Sequence, residues 1–371
     1  MKILLMSGHM NAGGITSYTL TLARGLKGKG AEVFIVSSGG DLVPEIKKTG
    51  AKYFPLNVRF KFEFHPRLLS QLPKLCRHIR EEKIDIIHAH TRATSMLAAL
   101  ASHLTGRPYV TTCHGYFSPH FGRRILPLWG RKAIAISPAV RIHLLKDFGL
   151  KEKNVALVPN GIDNQVFKPF PIEARYQLRE RWKIGREPVV GIIARLSDVK
   201  GHVFLIEAMA EVKKSFPDVK CLIFGEGPQE KVLKALSAAK KVDDAVFFYP
   251  VSHKTQELLG LLDIFVMPSI SEGLGLSVME AQSSGLPVVV SAVGGLCDIV
   301  QEGETGYLVA SEDVGALAEA IIKVLKDPVK AKEMGARARA FITEHYSVEH
   351  MVAGTLGVYE DVIQSCGPKK L

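Results

Sequence analysis

The sequence predicts an α/β protein with two doubly wound parallel sheets, one in each half of the chain. Short apolar runs alternate with helix-compatible segments from the first residues to the last, and the alternation starts afresh near Pro188 after a polar, proline-bearing stretch. The 371 residues are enough for two domains that each bury a core, and 47% hydrophobic with 23% charged residues is typical of a globular protein.

The predicted strands are apolar runs bounded by glycine-rich or polar loops. In the first half they are 2–6, 32–36, 52–56, 84–88, 108–112, 133–137 and 155–159. In the second half they are 188–193, 219–224, 245–249, 261–267, 286–290 and 308–310. Open parallel sheets bind ligands at the carboxyl ends of their strands, so a site is expected in the loops that follow these runs.

This pattern divides the chain into three segments. Residues 1–165 form the first domain, which closes near the turn signal at Asn160; residues 166–347 form the second; and residues 348–371 form a terminal helix. The polar stretch 164–187 is interpreted as the connection between the two domains.

The excess of basic residues is confined to the first half. Residues 1–165 contain 24 Lys and Arg against 10 Asp and Glu, a net +14, whereas the remainder contains 24 against 27, a net −3. No nucleic-acid-binding motif accompanies this charge. We therefore favour an anionic membrane surface over nucleic acid as the partner of the basic half.

We expect neither a membrane-spanning segment nor a signal peptide. No apolar run approaches the ~20 residues that span a bilayer, and residues 1–6 are too short for the apolar region of a signal peptide. The five cysteines are scattered and lack metal-ligand spacing, which is typical of reduced thiols. We expect a cytoplasmic protein, peripheral at the inner face of the cell membrane.

Two basic side chains follow the first strand of the second half. Arg195 and Lys200 come directly after the run 188–193, so both lie at the carboxyl end of that strand. A guanidinium can donate two hydrogen bonds to one phosphate and an ammonium adds a point charge, so the pair matches a diphosphate. Taken alone, the pair could equally be solvated surface charge.

The segment 268–289 carries two glutamates on either side of a Gly-x-Gly loop. Gly273 and Gly275 allow close approach of the backbone, and the first amides of the helix that follows form an anion site. Glu272 before the loop and Glu280 about one helical turn after it could each accept hydrogen bonds from hydroxyl groups. This combination indicates a sugar nucleotide as ligand; the alternative is that Glu280 only faces solvent and Glu272 is a loop charge.

Histidines end two strands of the first half. His114 follows the run 108–112, where it could hydrogen-bond a reacting sugar or serve only as a loop histidine. His88 and His90 lack acidic or cysteine partners at ligand spacing, so we interpret them as polar groups at the end of a strand rather than metal ligands.

Together these motifs resemble glycosyltransferase family 4, whose members are retaining enzymes of the GT-B fold. The resemblance covers essentially the whole chain. It implies two Rossmann-like domains facing across a cleft and a last helix that crosses back to the N-terminal domain. The motifs that carry the resemblance contain Gly13-Gly14, His114-Gly115, Pro159-Asn160-Gly161, Arg195, Lys200-Gly201, Gly225-Glu226-Gly227-Pro228, Glu272 and Glu280.

The resemblance also implies roles for individual residues. Arg195 and Lys200 bind the donor diphosphate and stabilise the leaving group, Glu280 holds the ribose, Glu272 the sugar hydroxyls, and His114 lies near the reacting carbon. His114, Arg195, Lys200 and Glu272 are the implied catalytic residues. The remaining implied donor-binding residues are Gly14, Asn160, Gly225, Val251, Gly273, Leu274, Gly275, Leu276 and Ser277.

The implied activity is transfer of a sugar from a UDP- or GDP-type donor to an acceptor hydroxyl with retention of configuration. No cofactor and no metal is expected, because fixed cations and helix amides can stabilise the leaving diphosphate. A lipopolysaccharide, lipid-linked or other cell-envelope glycan is the expected acceptor, since the acceptor domain is the basic one.

Three alternatives remain at this point. One is a sugar-nucleotide epimerase of the same fold, and another is a non-catalytic nucleotide-sugar-binding protein. A dinucleotide-dependent dehydrogenase is disfavoured because the first loop, residues 7–14, lacks the G-x-G-x-x-G pattern.

Overall fold

The computed structural model describes residues 1–60, 62–119, 123, 126–250 and 254–366. The chain forms two compact units, Met1–Gly161 together with Val348–Leu371, and Ile162–Ser347. The boundary therefore lies at 161/162, whereas the sequence pattern placed it at 165/166.

The first unit is built on a seven-stranded parallel sheet in the order β3-β2-β1-β4-β5-β6-β7. Its strands are β1 Lys2–Met6, β2 Glu32–Ser37, β3 Lys52–Pro55, β4 Ile86–Ala89, β5 Tyr109–Cys113, β6 Ala133–Ala135 and β7 Val155–Leu157. Consecutive residues 3–6 of β1 are all fully buried, because helices cover both faces of the sheet.

Helices connect these strands. They are α1 Gly14–Gly28, α2 Val43–Thr49, α3 Pro66–Leu69, α4 Leu72–Glu81, α5 Arg92–Thr105 and α6 Pro138–Lys146. The helices that follow β4 and β6 have polar N-caps: Thr91 and Thr94 form a capping box on α5, and the Ser137 side chain accepts from the Val140 amide at the start of α6.

The second unit repeats the plan with a six-stranded parallel sheet in the order β10-β9-β8-β11-β12-β13. Its strands are β8 Val189–Ile193, β9 Lys220–Phe224, β10 Val246–Tyr249, β11 Ile264–Met267, β12 Val288–Ser291 and β13 Gly306–Val309. The predicted α/β class with two doubly wound parallel sheets is confirmed.

The stretch that the sequence analysis interpreted as a connection is an integral part of the second unit, so that interpretation was wrong. Residues 172–181 form a helix whose Arg175 and Arg179 each donate to the Asp263 carboxylate at 2.7 Å. These ion pairs fix the helix beside the loop that enters β11. The charges that resembled a solvated linker are therefore structural.

The helices of the second unit complete its two outer layers. They are α7 Ile172–Arg181, α8 His202–Ser215, α9 Glu230–Ala239, α10 Thr255–Gly260, α11 Leu276–Ser283, α12 Leu296–Ile299, α13 Val314–Lys326 and α14 Pro328–His345.

The last helix, α15 Val348–Ser365, returns to the first unit and packs on α1. A Cβ atom at Gly25 of α1 would lie 2.4 Å from Val352 Cγ2, so the two helices approach closely. The α15 side chains of Met351, Tyr359 and Val362 belong to the buried core of this unit. Within the described ranges, no helix combines the length and apolar character needed to cross a membrane.

Candidate active site

Each sheet has a topological switch point, where successive connections leave in opposite directions. In the second unit this point lies between β8 and β11, and in the first between β1 and β4. Open α/β sheets bind ligands in the crevice outside the carboxyl ends of such strands. Of the described residues singled out from the sequence, all but Asn160 follow strands at or next to these two points.

The loop after β8 presents Arg195 and Lys200. The Arg195 side chain is exposed and makes no hydrogen bond or ion pair with any described residue. Lys200 ends a short 3-10 turn, Asp198–Lys200, and Gly201 follows with a φ of 68°. A Cβ at Gly201 would lie 1.8 Å from the Pro268 carbonyl oxygen, so only glycine lets this loop rest against the end of β11.

Lys200 forms an ion pair with Glu272, the first glutamate of the loop after β11. Both side chains are largely buried, with 24% and 14% of their surfaces exposed. An ammonium group carries three donors, so Lys200 can keep this contact while it donates to a phosphate oxygen. Both residues were predicted to belong to the donor site, and the structure brings their charged groups together.

Helix α11 begins after Gly275, which has a φ of 92°. The amides of Leu276 and Ser277 open the helix and donate to no group among the described residues, as is usual for a first helical turn. Gly273 and Leu274 are buried below them. The positive end of the helix dipole adds to the charges of the two loops and favours an anion.

Glu280 lies one turn into α11. Its side chain is half-buried, and within the described part of the chain its carboxyl group has no donor. Burial raises the pKa of Glu280 to about 8. A carboxyl group in this state can accept hydrogen bonds from hydroxyl groups, and these would compensate for its lost hydration.

The loop after β9 adds Gly225, where a Cβ would lie 2.0 Å from the Ala194 carbonyl oxygen. The Gly225 amide donates to the Tyr249 carbonyl oxygen at 2.9 Å, which joins this loop to the end of β10. Val251, to which the sequence analysis also assigned a donor contact, lies outside the described residues.

In the first unit, His114 belongs to a cluster of aromatic and imidazole rings. His114 Nε2 is 3.3 Å from His90 Nδ1, and the Tyr18 ring meets the His114 ring edge-on at a centroid distance of 4.8 Å. Burial lowers the pKa of His114 to about 3, so its imidazole is neutral near pH 7. His114 can therefore hydrogen-bond as donor or acceptor, but it brings no charge.

His88 connects this cluster to the last helix. Its Nδ1 is 2.6 Å from the Tyr359 hydroxyl of α15, and its Nε2 is 2.7 Å from Thr112 Oγ1. The Tyr18 hydroxyl is 3.5 Å from the same Thr112 oxygen. Burial, with a smaller contribution from His114, lowers the pKa of His88 to about 3, so the network is uncharged.

The other two predicted residues of the first unit lie at different places on its sheet. Gly14 is the first residue of α1, after β1, and Tyr18 of the same helix touches His114. Asn160 follows the edge strand β7 and is 2% exposed; its Oδ1 has no partner among the described residues.

His90, Tyr18 and Tyr359 were not predicted from the sequence as site residues. His90 and His88 are two positions apart at the end of β4, so their side chains point to the same face of the sheet. That spacing could have indicated a paired role for the two histidines. Across the described ranges, no three His, Cys, Asp or Glu side chains lie close enough to hold a metal ion.

Comparison with known families gives a match in each half of the chain. Residues 12–166 match the family model Glycosyltransferase Family 4, and residues 175–341 match the model Glycosyl transferases group 1.

Individual relatives match over most of the chain. N-acetyl-alpha-D-glucosaminyl L-malate synthase of Bacillus anthracis is 27% identical over 375 residues, covering 96% of each protein. Alpha-maltose-1-phosphate synthase of Mycolicibacterium smegmatis is 30% identical over 312 residues, covering 76% of this chain and 80% of that protein.

A solved structure shows the same fold. Anabaena HepE, crystallised with UDP and glucose, superimposes with a TM-score of 0.86 at 21% identity, covering 97% of this chain and all of that one. The family resemblance inferred from the motifs is confirmed: the chain belongs to glycosyltransferase family 4 and is a glycosyltransferase of the GT-B type.

Proposed function

We propose that the protein transfers a sugar from a UDP- or GDP-type nucleoside-diphosphate sugar to an acceptor hydroxyl with retention of configuration, in the synthesis of a cell-envelope glycan such as lipopolysaccharide. The observation that carries this proposal is the group of anion-binding elements at the switch point of the second unit. Arg195, Lys200 and the first amides of α11 follow adjacent strands there. Anabaena HepE, which shares the fold, was crystallised with UDP and glucose.

The charges suit departure of a nucleoside diphosphate. Negative charge develops on the bridging oxygen as the bond to the sugar breaks, and preorganised donors stabilise it most in a site shielded from water. Arg195 and Lys200 supply two cations, and the amides of Leu276 and Ser277 supply fixed dipoles. We propose that the reaction needs no metal ion because these groups take over the role that one would have.

Glu280 and Glu272 would recognise hydroxyl groups on either side of the diphosphate. The half-buried Glu280 carboxyl would accept from the ribose, while Glu272, held by Lys200, would accept from the donor sugar. Retention would follow from attack of the acceptor on the face from which the diphosphate departs. Neutral His114 would donate a hydrogen bond near the reacting carbon.

The basic charge of residues 1–165, a net +14, supports an acceptor or a membrane surface of negative charge on that side of the chain. We include peripheral attachment to an anionic membrane in the proposal. Such attachment would weaken steeply with salt, so vesicle binding that persists in about 0.5 M salt would contradict it.

The test measures binding of a panel of nucleotides and nucleotide sugars through the change in melting temperature that each causes. The wild type, Arg195→Ala and Arg186→Ala are compared. Arg186 is an exposed arginine at the amino end of β8, the opposite edge of the same strand, so it is a matched control. A nucleoside diphosphate should raise the melting temperature of the wild type and of Arg186→Ala. Arg195→Ala should bind it about tenfold or more weakly, since a charge-assisted contact is lost. Equal affinity in Arg195→Ala would contradict the diphosphate assignment.

The bound donor then decides between the remaining reactions. Transfer or slow hydrolysis in the presence of EDTA, with the first-formed anomer determined by NMR, tests both retention and metal independence. Formation of an epimer from the donor alone would indicate an epimerase instead. Binding without any turnover would indicate a non-catalytic protein.

A further inference from the structure

The loop that carries His114 leaves the core of the first unit as soon as β5 ends. Cys113, the last residue of β5, is fully buried, whereas residues 114–119, called the His114 loop below, are all at least partly exposed. None of the described residues would come within 4 Å of a Cβ atom at Gly115, so packing does not hold the backbone there. The position of this loop therefore depends on a few hydrogen bonds and ring contacts.

His143 of α6 supplies one of these hydrogen bonds. The Phe117 backbone amide donates to His143 Nε2 at 3.1 Å, which joins the His114 loop to the helix that follows β6. His143 is buried and Phe117 is exposed. A side chain fixed in the core thus holds a loop that lies on the surface.

The direction of this hydrogen bond determines the tautomer of His143. A backbone amide can only donate, so Nε2 carries a lone pair and the proton of the neutral ring lies on Nδ1. Nδ1 is 2.5 Å from a carboxylate oxygen of Asp147, four residues later at the end of the same helix, and donates to it. The other tautomer would point an N–H group at the Phe117 amide and lose the contact. Asp147 therefore keeps His143 in the form that accepts from Phe117.

Two aromatic rings cover the imidazole of His143. The Tyr116 ring of the His114 loop and the Phe148 ring after α6 each meet it edge-on at a centroid distance of 5.2 Å. Phe148 in turn packs edge-on against Trp129, also at 5.2 Å. A hydrogen bond that is shielded from water is electrostatically stronger than the same bond in water, so its loss has a larger effect.

The bonded amide is only three positions from His114. Between them, the Gly115 carbonyl oxygen accepts from Cys113 Sγ at 3.3 Å, and a thiol is a weak donor. The ring of His114 is held on its other side, where its Nε2 is 3.3 Å from His90 Nδ1. The imidazole is thus fixed by its ring contacts and the backbone by the bond to His143. Without that bond, rotation at Gly115 would let His114 adopt several positions.

We propose that His143 is a positioning residue for sugar transfer: together with Asp147 it holds the His114 loop on α6 and so keeps the His114 imidazole where it meets the donor sugar. The proposal rests on the transfer reaction proposed above, in which His114 lies near the reacting carbon. It adds two residues that act on the turnover rate through His114 alone. The effect is expected to be large because a misplacement of about 1 Å can lower a rate by ~100-fold.

Hydrogen exchange at the Phe117 amide tests the contact independently of activity. It is measured by NMR on the full-length wild type, His143→Ala, His143→Gln and His103→Ala. Glutamine can place a carbonyl oxygen near the position of Nε2 and still accept from the amide. His103 is an exposed histidine of α5 in the same unit, so His103→Ala is the matched control. Exchange should be about tenfold faster in His143→Ala and close to wild type in the other two variants.

Asp147→Ala is a second variant that leaves the buried imidazole in place. The Asp147 side chain is 51% exposed, so its removal should not prevent folding. Without the carboxylate the Nδ1–H group of His143 loses its acceptor, and the other tautomer becomes populated. The ring nitrogen shifts of His143 report this change, and exchange at Phe117 should rise by a smaller factor than in His143→Ala.

Steady-state kinetics and the ring nitrogen shifts of His114 test the positioning role. In His143→Ala, kcat should fall by about 10–100-fold while the KM for the donor is unchanged, because the residues proposed to bind the diphosphate belong to the second unit. The His114 shifts should change in the same variant. His143→Gln should restore both kcat and the shifts, and His103→Ala should match the wild type.

Three outcomes would overturn the proposal. One is wild-type exchange at Phe117 in both His143→Ala and Asp147→Ala. Another is faster exchange with unchanged kcat and unchanged His114 shifts, which would make the contact purely structural. The third is a loss of kcat that His143→Gln does not restore although exchange at Phe117 returns to the wild-type rate. Absence of turnover in the wild type with every donor would instead refute the transferase proposal, while Phe117 exchange and the His114 shifts would still decide whether His143 fixes the position of His114.

Discussion

The two units place different kinds of side chain at the carboxyl ends of their parallel sheets. The second unit has charged groups there, and the first unit has neutral ones. At the switch point of the second unit, Arg195 is exposed and the largely buried Lys200 is paired with Glu272, so each cation has either water or a counter-ion beside it. Next to the switch point of the first unit, His88 and His114 are neutral because burial holds the pKa of each at about 3.

This difference follows from the cost of burying charge. A buried ion needs a close partner and further hydrogen bonds, whereas neutral polar groups need only hydrogen bonds to one another. The first unit therefore joins His88 to Thr112 and Tyr359, and the second keeps its cations on loops. Charge suits binding of a diphosphate, and a neutral, preorganised cluster suits contact with an uncharged sugar.

The largest effect is expected from removing a cation of the second unit. Lys200→Ala should lower kcat/KM for transfer by about 10²–10³-fold, the usual range for loss of a group that stabilises developing negative charge.

His114→Ala should slow transfer but leave donor affinity unchanged, because its neutral imidazole lies in the other unit. Steady-state kinetics and donor titrations measure both quantities.

Lys213→Ala is the control for that comparison. Lys213 is a lysine of the same unit whose ammonium pairs with Asp244 at 2.6 Å on the surface. Its removal should leave transfer unchanged. A similar loss in Lys213→Ala, or weakened donor binding in His114→Ala, would show that the two units do not divide the work in this way.

A smaller effect, on stability, is expected from cutting the neutral network of the first unit. Tyr359→Phe removes the hydroxyl 2.6 Å from His88 Nδ1 and leaves a fully buried nitrogen without its partner. The free energy of unfolding should fall by about 1–3 kcal/mol, as measured by chemical denaturation.

The same substitution in the second unit is the control. The Tyr346 hydroxyl donates to the Asp298 carbonyl oxygen at 2.9 Å, but Tyr346 is only half-buried, so water can replace the lost donor. Tyr346→Phe should cost about 1 kcal/mol or less. If it costs more than Tyr359→Phe, the network does not stabilise the first unit as described.

Sequence patterns predicted the features that depend on neighbours along the chain. Arg195, Glu272 and His114 were found because each follows an apolar run, and the carboxyl ends of parallel strands are ligand-binding edges. Gly201 and Gly225 were part of a recognisable motif, and the structure supplies the reason, since a side chain at either would meet backbone oxygen.

Features that depend on distant parts of the chain could not be predicted in this way. The hydrogen bond between His88 and Tyr359 joins residues 271 positions apart, so no local sequence pattern predicts it. Arg175 and Arg179 looked like linker charges because their partner, Asp263, lies on another segment. For the same reason His90 was assigned only to the end of a strand, although its ring meets His114.

A pH dependence of stability is expected to have opposite signs in the two units. In the second unit the folded-state pKa of Glu280 is raised from 4.5 to about 8, so between these values the folded protein holds a proton that the unfolded chain releases. Its stability contribution is therefore full below pH 4.5 and is lost as the pH rises toward 8. In the first unit the pKa values of His88 and His114 are lowered from 6.5 to about 3, so their contribution is present above pH 6.5 and is lost as the pH falls.

Glu280→Gln separates the two contributions, because it removes the titration of the second unit and leaves both histidines in place. The variant should gain stability relative to the wild type as the pH rises from 4.5 to 8, by at most about 1.4 kcal/mol per pH unit, the value for one proton. Denaturant unfolding at a series of pH values measures this difference, and the acid loss below pH 6.5 should remain in both proteins. A difference that stays constant over that interval would mean that the pKa of Glu280 is the same in the folded and unfolded protein, and the two units would then not show opposite pH dependences.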